Sequence, residues 1–292
     1  VTATLLILLK VAVAGIILAI GMDSTLKDAT YLWHRPGLLL RSVLAMYVLV
    51  PLAALALVKV LTLAPGVEIG LLVLAVSAGA PLLPRKLMKI GDGAYIFSLV
   101  VTSSLLAILV VPAWLAVLGA QLDYPVSLRP DRVALVLAKS FLLPLALGMV
   151  VRRLFPAIAE RVGSRLMAIA GLLLTACALT LLILHWDVLL VARWSGVLTL
   201  AGLIAISLAI GHLLGGPAED DRTALAIACA TRHIGIAVLI AASVPGPRTS
   251  VLVAFYTLTS AVVSIPYLRW RRASASRVRP HGPEELRGSP SN

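Results

Sequence analysis

The sequence predicts an all-α membrane protein of about nine transmembrane helices, and three observations carry that prediction. Sixty per cent of the 292 residues are hydrophobic and only 13% are charged, against roughly 45–50% and about 25% in soluble domains. Mean hydropathy is +1.03, more apolar surface than a water-facing globule of this size can bury. Apolar runs near 20 residues recur, too long for the alternating ~10-residue strands of an outer-membrane barrel.

Nine segments follow from these runs and their punctuation. The first covers about 2–22 and ends beside Gly21. The second covers about 36–61 and opens on Pro36, whose missing N–H costs little in a first helical turn. The third covers about 67–90 and is interrupted. The fourth, fifth, sixth and seventh cover about 93–119, 131–151, 163–184 and 194–214. The eighth, about 219–244, is again interrupted, and the ninth covers about 249–270. Residues 271–292, rich in Ser, Pro, Gly and Arg, read as a disordered basic cytoplasmic tail.

The formal net charge of +12 would suggest nucleic acid in a soluble domain. Here it sorts by side of the membrane, and no nucleic-acid partner is expected. With the N-terminus outside, seventeen Lys and Arg fall on the inner side, among them Lys27, Arg35, Arg41, Lys86, Lys89, Arg152, Arg153 and the tail arginines. Four fall outside: Arg129, Arg132, Arg193 and Arg248. That asymmetry predicts an N-out, C-in integral protein of a bacterial inner membrane. Lys10, Lys59, Lys139 and Arg232 remain within segments. Lys59 and Lys139 sit near segment ends and can snorkel, while Lys10 is deeper and is expected to line a cavity.

Cys177 and Cys229 lie in apolar segments and read as small core residues. No nucleophile, phosphate-loop or metalloprotease motif is legible, and the five His show no ligand spacing. An enzyme is therefore not expected.

The two interrupted segments hold the candidate chemistry. The third contains Ser77-Ala-Gly-Ala-Pro-Leu-Leu-Pro84 followed by Arg85-Lys86. Each proline removes a helical hydrogen bond and clashes with the preceding turn. The eighth contains Ala230-Thr-Arg-His-Ile-Gly-Ile-Ala237. Irregular backbone at membrane depth survives only where protein or a wet cavity satisfies it. A pair of broken segments in the two halves of a chain points to a transporter's binding site. Arg232 lies about 13 residues from the inner end of its segment, or ~20 Å at 1.5 Å per residue. An arginine there costs about 2.5–3.5 kcal/mol on insertion scales. Its acidic candidates, Asp92 and Asp187, sit near segment ends, so the expected partner is an anionic ligand. His233 beside it reads either as a hydrogen-bonded residue of the break or as a proton carrier.

Several motifs in order carry a family resemblance. Gly21-Met-Asp-Ser-Thr-Leu-Lys27 with His34-Arg-Pro36, Met46-Tyr-Val-Leu-Val-Pro51, Ser98-Leu-Val-Val-Thr-Ser103 and Ala224 through Ala237 resemble the bile acid:sodium symporter family. The resemblance places the family's second helix at the first segment here. It implies an inverted-repeat fold, with repeats at about 1–120 and 130–270. It also implies two broken, crossing helices and a core domain that moves against a panel domain. It implies alternating-access transport of a small organic anion. Ser98 and Thr102 match two positions of the family's sodium site. The family's other ligands fall on Pro84-Arg85 (or Leu82-Leu83), Met46, Ala228 and Arg232. Sodium needs several hard oxygen donors, so these substitutions argue against sodium coupling, with a proton as the other candidate ion. The expected substrate-binding residues are Arg232, His233, Thr231, Ser98, Thr102 and Arg85, with no resident cofactor. A non-transporting membrane sensor on the same fold is the alternative reading.

Overall fold

The computed structural model describes residues 2–77, 93–121, 130–184, 186–232, 237 and 248–278. Among these residues every regular element is helical. Helix α1 (Thr2–Met22) ends at a sharp bend into a short helix α2 (Leu26–Thr30) and a 3₁₀ turn (Tyr31–His34). Thr25 caps α2 reciprocally with Asp28: the Asp28 amide donates to Thr25 Oγ1, and the Thr25 amide donates to Asp28 Oδ2 at 3.0 Å. Pro36 then opens a continuous span made of α3 (Pro36–Leu44), a π turn (Ala45–Leu49) and α4 (Val50–Val60). Next come α5 (Pro65–Val76), α6 (Gly93–Gln121), α7 (Pro130–Leu154), α8 (Pro156–Leu184), α9 (Trp186–Leu214), α10 (Glu219–Ala230) and α11 (Arg248–Val278).

By length and composition, five helices among the described residues can cross a membrane: Pro36–Val60, Ala94–Leu118, Pro156–Leu184, Trp194–Leu214 and Val251–Ser274. A sixth is counted if Ile7–Met22 and Lys27–His34, bent by 100°, form one span. Helices α5 and α10 have 12 residues each, about 18 Å of rise against a hydrocarbon core of ~30 Å, too short to cross alone, and each leads into residues outside the described ones.

Other boundaries shift as well. Helices α8 and α9 begin at Pro156 and Trp186, ahead of their apolar runs. Helix α11 continues to Val278, and Arg271, expected in a disordered tail, is 6% exposed. Lys10 is exposed on α1 beside exposed Ile7, Leu8 and Val11, and Lys59 and Lys139 are exposed too. Both cysteines are buried and free, as their apolar settings predict.

Packing sorts the helices. Helix α1 packs mainly on α7 and α8, while α9 packs on α10, α11 and α4, and α5 lies against α11 and α4. Helix α6 meets α7 on one side and the α2–3₁₀ linker on another. Glycines permit the closest approaches. A Cβ on Gly21 would fall 3.0 Å from Gly148 Cα, across the α1–α7 contact. Gly211 and Gly215, one helical turn apart, bring α9 against the backbone of α10. A Cβ on Gly211 would lie 2.5 Å from Leu225 O. Small residues at such contacts are how membrane helices pack without a hydrophobic driving force between them.

Helix α10 stops at Ala230 because its carbonyl is taken from outside. Tyr256 and Ser260 of α11 donate to Ala230 O at 2.7 and 3.0 Å. A continuing helix would fill that carbonyl with the N–H of residue 234. Thr231 is extended (φ −94, ψ 114). Its amide and its hydroxyl both donate to Ile227 O, at 2.8 and 2.6 Å. Competing hydroxyls of this kind weaken a helical ladder. At the other end Arg271 ties α10 to α11, donating from Nε to Thr223 Oγ1 at 2.8 Å and from Nη2 to Glu219 Oε2 at 3.0 Å.

Two stability measurements test this packing. Gly211→Val is expected to lower the thermal midpoint of the detergent-solubilised protein, at about 1–3 kcal/mol for forced overpacking. Gly171→Ala, with nothing within 4 Å of an added Cβ, leaves it unchanged. Tyr256→Phe and Ser260→Ala are each expected to cost about 0.5–1.5 kcal/mol. The double variant costs more than their sum, since only then is the buried Ala230 carbonyl left without a donor. Strict additivity in a double-mutant cycle would refute the shared acceptor.

Candidate functional site

The site forms where the break after α10 meets the π turn of the second span. Arg232 is the largest fully buried side chain described, at 1% exposure. Its Nη1 donates to the Met46 carbonyl at a long 3.4 Å. Nε and Nη2 have no hydrogen-bond partner among the described residues. The guanidinium also lies within electrostatic reach of Tyr47 and Cys229, and next to the Tyr256 hydroxyl, whose oxygen can accept from it.

Pro51 explains why Met46 has a carbonyl to offer. The Val50 amide donates to Ala45 O, five residues back, in the wide π register. The next donor along would be residue 51, and proline has no N–H. The Met46 carbonyl is therefore left without a helical donor and turns to Arg232. The Tyr47 carbonyl, whose α-helical donor would also be residue 51, accepts from Trp114 Nε1 of α6 at 2.9 Å. The Tyr47 hydroxyl donates to Ser103 O, also on α6. Sequence reading passed over this turn, although Pro51 inside an otherwise unbroken apolar run was its signal.

The hydroxyls near Arg232 are committed as donors. Thr231 donates to Ile227 O, and Tyr256 and Ser260 donate to Ala230 O. Ser98 and Thr102 face the linker that follows α1. Ser98 Oγ donates to Ala29 O at 2.9 Å and accepts from the Leu32 amide at 2.8 Å. Thr102 Oγ1 accepts from Trp33 Nε1 at 3.1 Å. These bonds pin the bent α2–3₁₀ linker to α6. Ser42 adds a contact to Tyr95 at 3.0 Å.

The structure thus brings Met46, Thr231 and Arg232 together around the broken α10, with Ala228 on the same helix. Ser77, at the end of α5, is fully buried, and its hydroxyl donates to Val73 O at 2.6 Å. Arg85, His233, Asp92 and both prolines of the third segment, Pro81 and Pro84, lie outside the described residues. Among the described residues no group of three or more His, Cys, Asp or Glu converges to hold a metal.

None of the curated proteins matches the chain. The family model described as the sodium bile acid symporter family matches residues 10–192, from α1 into the start of α9. Arg232 and α10 lie beyond that stretch, and what is said of them rests on their own geometry. A match over more than half of the chain, with apolar helices long enough to span a bilayer, identifies an integral membrane protein that belongs to the sodium bile acid symporter family.

Proposed function

We propose that this chain is a secondary transporter that carries a small organic anion by alternating access, without sodium coupling. The observation that carries the reading is Arg232: a permanent cation, 1% exposed, at the break of a half-span, with two unfilled donors. Burying such a charge is expensive, and an anion offsets that cost. The family supplies the symporter-type background.

Nine N-out segments in an inverted repeat remain the topology we favour. Contacts that fix relative helix direction support it. Gly21 and Gly148 meet near the C-terminal ends of α1 and α7, as expected of two segments running inward. Gly215 meets Arg222 across the hairpin from α9 to α10, which reverses direction. The pairing of α1 with α7 and α8, and of α4, α5 and α10 with α9 and α11, supports a panel and a core that rock against each other across the α8–α11 contact.

The sodium reading weakens at the atoms that would have to serve it. Of the positions that the resemblance assigns to sodium, 46 and 232 meet as a carbonyl and a guanidinium. Ser98 and Thr102 carry the α2–3₁₀ linker. A fixed charge on the protein stands in for a bound ion, and His233 is left as a carrier should a proton be coupled.

Uptake into proteoliposomes tests both halves of the proposal. The assay uses radiolabelled organic anions: a bile acid, a keto acid and a dicarboxylate. Replacing external sodium by N-methylglucamine is expected to change the uptake rate less than about twofold. Arg232→Ala is expected to reduce it tenfold or more, the loss of one charge-assisted contact of about 1.5–3 kcal/mol. Undiminished uptake by the Arg232 variant would remove the anion site, and sodium-stimulated uptake would restore sodium coupling.

A further inference from the structure

We infer that the start of α8 binds an anionic phospholipid, with the phosphate on Arg161 and Arg165 and an acyl chain along the bare helix face beyond them. Helix α8 is the least covered of the five spans: only 28% of its most apolar stretch is buried by neighbouring helices. Its covered side is set by α1. A Cβ on Gly163 would meet Met22 and Asp23, and Gly15 lies against Ala170. The side turned away from α1 repeats at helical spacing. Arg161, Arg165, Ile169, Leu172, Leu179 and Ile183 share it, and all six are exposed. The two arginines are the only charged residues on that face.

The spacing along the axis matches a lipid. From Arg165 to Leu184, where α8 ends, the rise is about 28 Å, close to the ~30 Å of the hydrocarbon core. Arg165 therefore reaches the edge of the acyl region, and Arg161 lies one turn further out, about 6 Å, at headgroup depth. The hairpin between α7 and α8 also sorts its charges. Glu160 is taken by Arg152 across the turn, Nη1 to Oε1 at 3.4 Å. Among the described residues no carboxylate pairs with Arg161 or Arg165. Leu154 and Phe155 at the tip are exposed, which suits a turn lying in the membrane interface rather than in water. Two guanidiniums one turn apart, with no carboxylate between them, fit the oxygens of one phosphate. A zwitterionic headgroup brings its own cation to the same spot and cancels the attraction. A soluble anion would leave the apolar face without a part in the binding.

Native mass spectrometry tests the site. The full chain, exposed in detergent to equal amounts of phosphatidylglycerol and phosphatidylcholine, is read for its tightest-bound lipid. The wild type is expected to retain phosphatidylglycerol in preference. Arg161→Gln and Arg165→Gln are each expected to lower that preference about fivefold, the usual strength of one basic residue near an anionic surface. The exposed pair Arg269→Gln and Arg272→Gln, near the C-terminal end of α11, removes two charges and leaves the preference unchanged. The single variants are read separately, so that one that folds poorly does not stall the test. Equal retention of both lipids, an unchanged preference in the single variants, or the same loss in the α11 pair overturns the site. Inorganic phosphate in excess over lipid is expected to leave the bound lipid in place. Displacement would give the arginines to a soluble anion and overturn the lipid. Organic-anion uptake plays no part in the readout, so the outcome is separate from that of the transport reading.

Discussion

Backbone polar groups inside a bilayer must find partners within the protein, and the carbonyl of Ala230 is where this chain meets that demand most visibly. A half-helix that ends at membrane depth would leave its last carbonyls bare. Two hydroxyls from one face of α11 close on that oxygen, and Thr231 folds its own side chain back on Ile227. With the end sealed, the chain can leave helical geometry at Thr231 and carry Arg232 inward. The negative end of the α10 dipole lies at the same point, and it favours a cation there. The break, the burial of the guanidinium and its one-sided hydrogen bonding all rest on that sealed terminus.

A second constraint lies in the neighbouring span. A proline inside a membrane helix is tolerated when other groups take over the carbonyls it frees. Pro51 frees two, and they are used for different ends. The Trp114 indole takes one and ties the span to α6, while Arg232 takes the other. The same backbone defect thus supplies both a packing contact and a polar anchor. The glycine contacts of α9 with α10 and the Arg271 clasp at Glu219 and Thr223 then hold the half-helix in register from its N-terminal end.

Much of this was legible in the sequence, and the remainder was not, for identifiable reasons. Prolines and charges mark helix starts that hydropathy also sees, so the segments beginning at Pro36, Gly93 and Pro130 fall where expected. Hydropathy locates the apolar part of a helix rather than its first turn. That is why α8 and α9 start earlier and α11 ends later than the apolar runs. Arg232 stood out because a charge at that depth has few explanations. Its partner at Met46 was hidden, since a carbonyl exists at every position and only the donor pattern shows which one is free. Ser98 and Thr102 matched a family pattern by position. In three dimensions their oxygens serve the Ala29–Trp33 linker, a use that depends on a fold-back no local signal announces.

Because Met46 contributes its main chain and not its thioether, the grip on Arg232 is indifferent to which side chain stands at 46. Its identity is free to drift so long as the buried volume is respected. The ring at position 51, which offers no hydrogen bond of its own, is the inflexible member of the pair: an ordinary residue there would return the missing amide, close the ladder and withdraw the anchor from within the neighbouring helix.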